Sequence, residues 1–272
     1  PMFIFFSTNL PHGPVDIPPE ENTYAGSPSI RQAYGNASGT NRECAGAAEE
    51  YASMVDKLDR QVGAIVDQVR KLGLDKRTII IFSSDNGHEL YYRTDKGRGR
   101  GPDCHGGVLD GTGELLDVFR GSRGRVGPNN AMANLAGLKW TSHEGGIRVP
   151  LIISWPGTLP YGKVCHSLVA NYDHMASFAD LAGIRMPEGK DAVSYMDILS
   201  GNSARQRDYV VVDHTVITGD GWKLTQKQNK PFLFHIGRDP EERNNLAGTR
   251  KDQLEKLRAI YRKEVGSPRK DR

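Results

Sequence analysis

The chain has 272 residues, 37% apolar and 25% charged, enough to bury one large core, or a large core with a small companion domain. No apolar run is long enough to span a bilayer, and a formal charge of +3 with bases and acids interspersed argues against a dedicated nucleic-acid surface. The cysteines, Cys44, Cys104 and Cys165, match neither a disulfide framework nor a CxxC metal pattern.

Pro1 opens directly onto M-F-I-F-F-S, with no initiator Met, charged leader or signal-like segment. The expectation is a fragment that begins inside a strand. Met2 to Ser7 reads as a buried strand, and the prolines from Pro11 to Pro19 then forbid regular structure. From Ala47 the period changes. Tyr51, Met54, Val55, Leu58, Val62, Ile65, Val66, Val69 and Leu72 recur at steps of mostly three and four, one apolar stripe on a long helix.

Gly73 is placed to end that helix, and the β-branched run Thr78 to Phe82 follows after a short connection. Helix, glycine, short loop and buried strand read as half of a βαβ unit, so the expected architecture is α/β, a mainly parallel sheet flanked by helices. Residues 88 to 138 are rich in glycine and show no sustained period, which predicts a long loop insertion, either functional or disordered. A further strand is predicted over Val149 to Trp155. Next comes a helix capped by Asp173, carrying Met175, Phe178 and Leu181 and stopped by Gly183. After about residue 200 the texture changes to short strands at Tyr209 to Val212, Trp222 to Thr225 and Phe232 to Ile236. A final helix uses Leu254, Leu257, Tyr261 and Val265. The predicted domains are therefore 1–200, a large α/β part, and 201–272, a small antiparallel α+β subdomain ending in a frayed basic tail.

Three places carry groups suited to chemistry. In open parallel sheets, ligands gather outside the carboxyl ends of strands, and the strand before S-S-D-N-G ends on Asp85 and Asn86. Adjacent carboxylate and amide oxygens suit calcium or magnesium better than zinc. The same residues, with Gly87 letting the backbone turn away, also make an ordinary turn. His12 sits in N-L-P-H-G-P, after the first predicted strand, where an imidazole can donate a proton or bind an anion. A lone histidine in a proline loop is more often a surface residue, and its place at a second strand end is what singles it out. In L-K-W-T-S-H-E-G-G-I-R-V-P, Lys139 offers a point charge to an anion or is simply solvated, and Glu144 before Gly145-Gly146 pairs with Arg148 or feeds a tight turn.

Taken together and in order, these phrases resemble a formylglycine-dependent sulfatase of the alkaline-phosphatase-like superfamily, in its C-terminal part. The resemblance is carried by P-H-x-P at 11–14, Y-A-S-M-V-D-K-L-D-R-Q-V-G at 51–63 and L-G-L-D-K-R-T-I-I-I-F-S-S-D-N-G at 72–87. It continues through K-W-T-S-H-E-G-G-I-R-V-P-L-I-I-S-W-P-G at 139–157 and D-P-E-E-R-N-N-L-A at 239–247. It implies an alkaline-phosphatase-like fold and a sulfuric ester hydrolase. In that family's terms Asp85 and Asn86 are metal ligands for Ca2+, with Mg2+ possible. His12 touches the ester and protonates its leaving oxygen, Lys139 binds sulfate oxygens, and Glu144 is structural.

The departure from the family pattern lies in the nucleophile. The family's Cys/Ser-x-Pro-x-Arg, source of the formylglycine, has no match here: Cys44, Cys104 and Cys165 lack the proline, and in Ser27-Pro28-Ser29-Ile30-Arg31 it comes one place early. The formylglycine and the remaining acidic ligands are therefore expected upstream of Pro1, and the 272-residue piece alone is expected to be inactive. The expected substrates are a sulfated carbohydrate or an aryl sulfate, the former favoured by Tyr91, Tyr92, Arg93 and Arg120 to Arg125 in the insertion. The expected compartment is periplasmic, extracellular or lysosomal. The alternatives are a phosphomonoester or phosphonate hydrolase of the same superfamily, and a non-catalytic calcium-dependent binder of sulfated glycans.

Overall fold

The computed structural model describes residues 2–12, 17–35, 41–87, 135–136, 139, 141–201, 207–227 and 230–266. The expected insertion at 88–138 and the basic tail lie almost wholly outside the described residues. Cα proximity divides the chain into two units. One joins Pro1–Thr78 to Asn86–Arg148, and the other joins Ile79–Asp85 to Val149–Arg272.

The first unit is built on helices. Helix α1 (Pro28–Gly35) starts on a proline, whose missing N–H costs nothing in the first turn. Helix α2 (Asn41–Lys71) carries the expected stripe. Gly73, at φ 65°, closes α2 in a Schellman arrangement: Leu74 N–H donates to Val69 O at 3.0 Å and Gly73 N–H to Arg70 O at 2.9 Å. The stripe is only partly covered. Met54 is 4% exposed, whereas Val55 is 42% and Ile65 40% exposed.

A polar network ties the segment before α1 to α2. The buried Glu49 carboxylate accepts from Arg31 Nε at 2.8 Å and from Gly26 N–H at 3.0 Å. Ser53 Oγ donates to Asn22 Oδ1 at 2.8 Å and accepts from Tyr24 N–H at 3.1 Å. Burial alone raises the Glu49 carboxyl, but the Arg31 guanidinium and the Gly26 and Ser27 N–H groups outweigh it and hold the group below its ordinary value.

Met2–Ser7 is not the buried strand that its composition predicts. Met2 is 80% and Phe5 82% exposed, and the segment is not a strand in the structure. Aromatic and β-branched residues suit a pleated surface, but a strand forms only where a neighbour supplies its backbone hydrogen bonds.

In the second unit, β1 (Ile80–Ser83) pairs with β2 (Leu151–Ser154) in antiparallel register, Ile81 opposite Ile153. The helix-then-strand rhythm suggested parallel neighbours. It constrains only strands joined by a crossover, however, and a mixed sheet carries antiparallel pairs as well. Helix α4 (Asp173–Leu181) follows, after the short α3 (Glu144–Ile147) of the first unit. It ends as predicted at Gly183, φ 66°. Asp173 does not cap α4 as expected. It stands inside the first turn, 2% exposed. There it accepts the N–H groups of Ala170 and Val193 at 2.8 Å each and a two-pronged ion pair from Arg207. Helix α5 (Met196–Leu199) leads on to the sheet.

Strands β3 (Tyr209–Val212), β4 (Thr215–Thr218), β5 (Trp222–Lys227) and β6 (Lys230–His235) form an antiparallel meander in sequence order. Sequence reading found three of these and missed β4. Alternation puts Val216, Leu224 and Leu233 on one face, where they pack with Leu254, Leu257 and Tyr261 of α6 (Lys251–Glu264). Each such side chain contributes about 1.5–3 kcal/mol by leaving water. Val265, counted with this face in the sequence, is 39% exposed.

The opposite face is also buried, with Ile217, Lys223 and Phe234 in one cross-strand row. There the Lys223 ammonium meets the Glu242 carboxylate at 3.0 Å, both side chains 0% exposed. Glu242 belongs to D-P-E-E-R-N-N-L, whose other residues also hold the turn. Asp239 accepts the N–H groups of Arg243 and Asn244 at 3.1 and 2.9 Å. Asn245 Oδ1 accepts from Leu233 N–H of β6 at 3.0 Å, and Leu246 packs against the core.

Next to Asp173, His174 Nδ1 lies 2.7 Å from Tyr195 Oη, and its ring stacks on Phe178. Burial lowers the His174 imidazole below its ordinary 6.5, with the Asp173 charge opposing in part. The unfolded chain therefore binds the extra proton first. Stability from this group is complete above 6.5 and is lost as pH falls through the depressed folded value. The melting midpoint is expected to drop as pH falls below 6.5, and His174→Gln to flatten that slope. The corresponding loss at Glu49 begins only below its ordinary 4.5. An unchanged slope in the variant would remove His174 as the cause.

Candidate active site

Two of the four expected site residues, 127 positions apart in sequence, meet in the first unit: Lys139 Nζ is 3.1 Å from His12 Nε2. His12 is held in a tight turn, with its N–H donating to Asn9 O at 2.7 Å across a cis Leu10–Pro11 bond. An ammonium has only donors, so in this contact the imidazole accepts at Nε2 and carries its own proton on Nδ1. Further protonation of His12 would set two cations face to face, which an anion entering between them would relieve. The pair is therefore an anion-seeking arrangement that also holds a transferable proton.

The metal-pair candidates stand on either side of the division between units. Asp85 ends the second unit's first segment and is exposed, whereas Asn86 opens the first unit's second segment and is half-buried. Asn86 Nδ2 donates to Gly87 O at 2.9 Å, so the amide's nitrogen is committed to its own backbone and its oxygen is the end suited to a cation. Both are hard oxygen donors. Among the described residues no group of three or more His, Cys, Asp or Glu is placed to hold a metal.

Gly87 does something that sequence reading did not assign. Its N–H donates to Gly146 O at 2.8 Å. A Cβ on Gly87 would lie 1.9 Å from Gly145 O and 2.9 Å from the Gly146 carbonyl carbon. Gly87 is thus needed for its backbone to approach that of Gly145 and Gly146. Gly145 N–H in turn donates to Ala136 O at 2.6 Å, three residues before Lys139. Glu144, 4% exposed, reaches Arg148 at 3.8 Å, the ion pair anticipated from their spacing. The structural carboxylates Asp173 and Glu242 went unrecognised as ion-pair partners. A charged residue inside an alternating strand, as in W-K-L-T, was the signal available for Lys223 and its partner.

No helix among the described residues is long and apolar enough to cross a membrane. Comparison with known proteins adds the following. The Sulfatase family model matches residues 1–184, and that of the N-sulphoglucosamine sulphohydrolase C-terminal region matches 139–270. The N-acetylgalactosamine-6-sulfatase of Canis lupus familiaris is 24% identical over 96% of this chain and 47% of its own length. The N-acetylgalactosamine-6-O-sulfatase of Bacteroides thetaiotaomicron is 26% identical over 70% of this chain and 37% of its own. The chain thus spans about half or less of the length of such relatives. Among solved structures, Ps i-CgsB superposes with a TM-score of 0.61 at 22% identity over 96% of this chain and 54% of that one. A protein crystallised with its substrate D-glucosamine-2-N,6-O-disulfate gives 0.57 at 19% identity over 87% and 46%. These likenesses show the fold, α/β and alkaline-phosphatase-like; the strand pairs among the described residues are all antiparallel. With its family model covering well over half of the chain, this protein belongs to the sulfatase family.

Proposed function

We propose that the whole protein is a sulfuric ester hydrolase acting on a sulfated carbohydrate, with His12 and Lys139 as its sulfate-handling residues. The observation behind this reading is the 3.1 Å approach of Lys139 Nζ to His12 Nε2. Lys139 donates to the non-bridging oxygens of the ester and offsets their growing charge. His12, in its protonated form, gives a proton to the leaving sugar oxygen, while Lys139 keeps its own proton and its charge. Asp85 and Asn86 fit a hard cation as two members of a larger oxygen set, since calcium takes six to eight such ligands. When bound, that cation withdraws charge from the sulfuryl oxygens. The remaining ligands and the nucleophile lie on chain beyond these 272 residues, so this piece alone is inactive. Relatives named for N-acetylgalactosamine sulfate and a neighbour holding a disulfated glucosamine favour an amino-sugar sulfate as substrate. An exported location suits that substrate.

In the whole protein, Lys139→Ala and His12→Ala are each expected to lower kcat/KM on a sulfated amino sugar by about 10²–10³-fold. The 272-residue chain should give no turnover. Wild-type rates in Lys139→Ala would end this assignment.

A further inference from the structure

We propose that the second unit carries a saccharide subsite of its own, built from none of the residues of the His12–Lys139 pair and taking one unit of a sulfated glycan chain. The identity of its ligand rests on the sulfatase reading. The site itself rests on a cavity of about 510 Å³ bounded by the segment at 166–168, the start of β3, the β4–β5 turn and α6, a size typical of small-molecule sites.

Its polar lining is mixed in an informative way. His166 and Lys256 supply donors, Asp208 and Asp220 supply carboxylates, and Thr218 and Ser167 supply hydroxyls. Some of this is already positioned. Thr218 Oγ1 donates to the Asp220 carboxylate, and Arg207, which forms one wall, is fixed by its ion pair to Asp173 and its bond to Asp191 O. Elsewhere on α6, Arg258 and Arg262 pair with Glu255, and Lys263 with Glu264; Lys251, at the start of the helix, lies outside the cavity lining. Lys256, which faces the cavity, has no side-chain partner among the described residues, and neither does His166.

A ligand that suits this lining has hydroxyls to donate to two carboxylates and an anionic group for Lys256 and His166. It also has an apolar ring face for Leu168 and Ile260, which complete the wall. A sulfated sugar unit has all three. An acidic peptide would set its own carboxylates against Asp208 and Asp220.

The test is calorimetric titration of the 272-residue chain with a sulfated N-acetylgalactosamine-containing hexasaccharide. Lys256 and Asp220 are exposed, so Lys256→Ala and Asp220→Asn leave the fold intact. Each is expected to weaken Kd about tenfold, also in a chain already carrying Lys139→Ala. Binding lost with Lys139→Ala but unmoved by Lys256→Ala overturns the subsite and leaves the sulfatase reading standing. Lys256-dependent binding beside a whole protein that hydrolyses no sulfate ester does the reverse. No binding at millimolar hexasaccharide, or equal displacement by an acidic peptide, overturns the subsite.

Discussion

Glu242→Gln is expected to destabilise the second unit by about 3–5 kcal/mol, read from the urea unfolding of the chain. The substitution barely changes shape, so its effect isolates charge. Lys223 and Glu242 are both 0% exposed and 3.0 Å apart, and removing the carboxylate's charge leaves an ammonium buried opposite a neutral amide. Lys223→Met should cost a similar amount by stranding the carboxylate. The double variant Lys223→Met with Glu242→Leu removes both charges, and buried pairs replaced in this way are often neutral or more stable by about 1–4 kcal/mol. The two substitutions should therefore be strongly non-additive. A loss below about 1 kcal/mol for Glu242→Gln would show that Asp239 and Asn245 hold the turn without the ion pair.

The second large effect is expected at Gly87. An alanine methyl would sit 1.9 Å from the Gly145 carbonyl oxygen, where neither rotamer change nor side-chain movement can relieve the clash. The peptide must move, and the Gly87 N–H to Gly146 O bond goes with it. A loss of at least about 3 kcal/mol is expected for Gly87→Ala, at the upper end of overpacking. Two controls separate this from the general effect of glycine. Gly73 has open space but φ 65°, so Gly73→Ala should cost about 1–2 kcal/mol. Gly63, inside α2 with open space, should be stabilised by about 0.5–1 kcal/mol on change to Ala. If Gly87→Ala melts like Gly73→Ala, the close approach is not maintained in solution.

Much of this was legible because periodicity and punctuation are local. The α2 stripe, the glycines at 73 and 183 and the short apolar and β-branched runs of β3, β5 and β6 each follow from residues a few places apart. Strand β4 was missed because Thr215 to Thr218 is short and half polar, and its β-branched residues declare themselves only beside β3 and β5. Met2–Ser7 misled for the opposite reason, since composition states what a strand would bury but not whether a partner is there. At the candidate site, His12 and Lys139 were found as residues, but no spacing rule could foretell that 127 positions of chain would bring them to 3.1 Å. Asp173 was seen as a helix cap, yet its partner Arg207, 34 residues on, is set by tertiary packing.

The meeting of Gly87 with Gly145 and Gly146 also fixes the two ends of the stretch between them, and this bears on how the protein can vary. Once a segment's ends are clasped, the entropy of closing it rises only as the logarithm of its length, about 0.6 kcal/mol for each doubling. What the clasp holds is therefore the pair of ends, Gly87 against Gly145 and Gly146. The constraint at these ends rests on Gly87, where a single methyl group would force the Gly145 carbonyl away and undo the clasp.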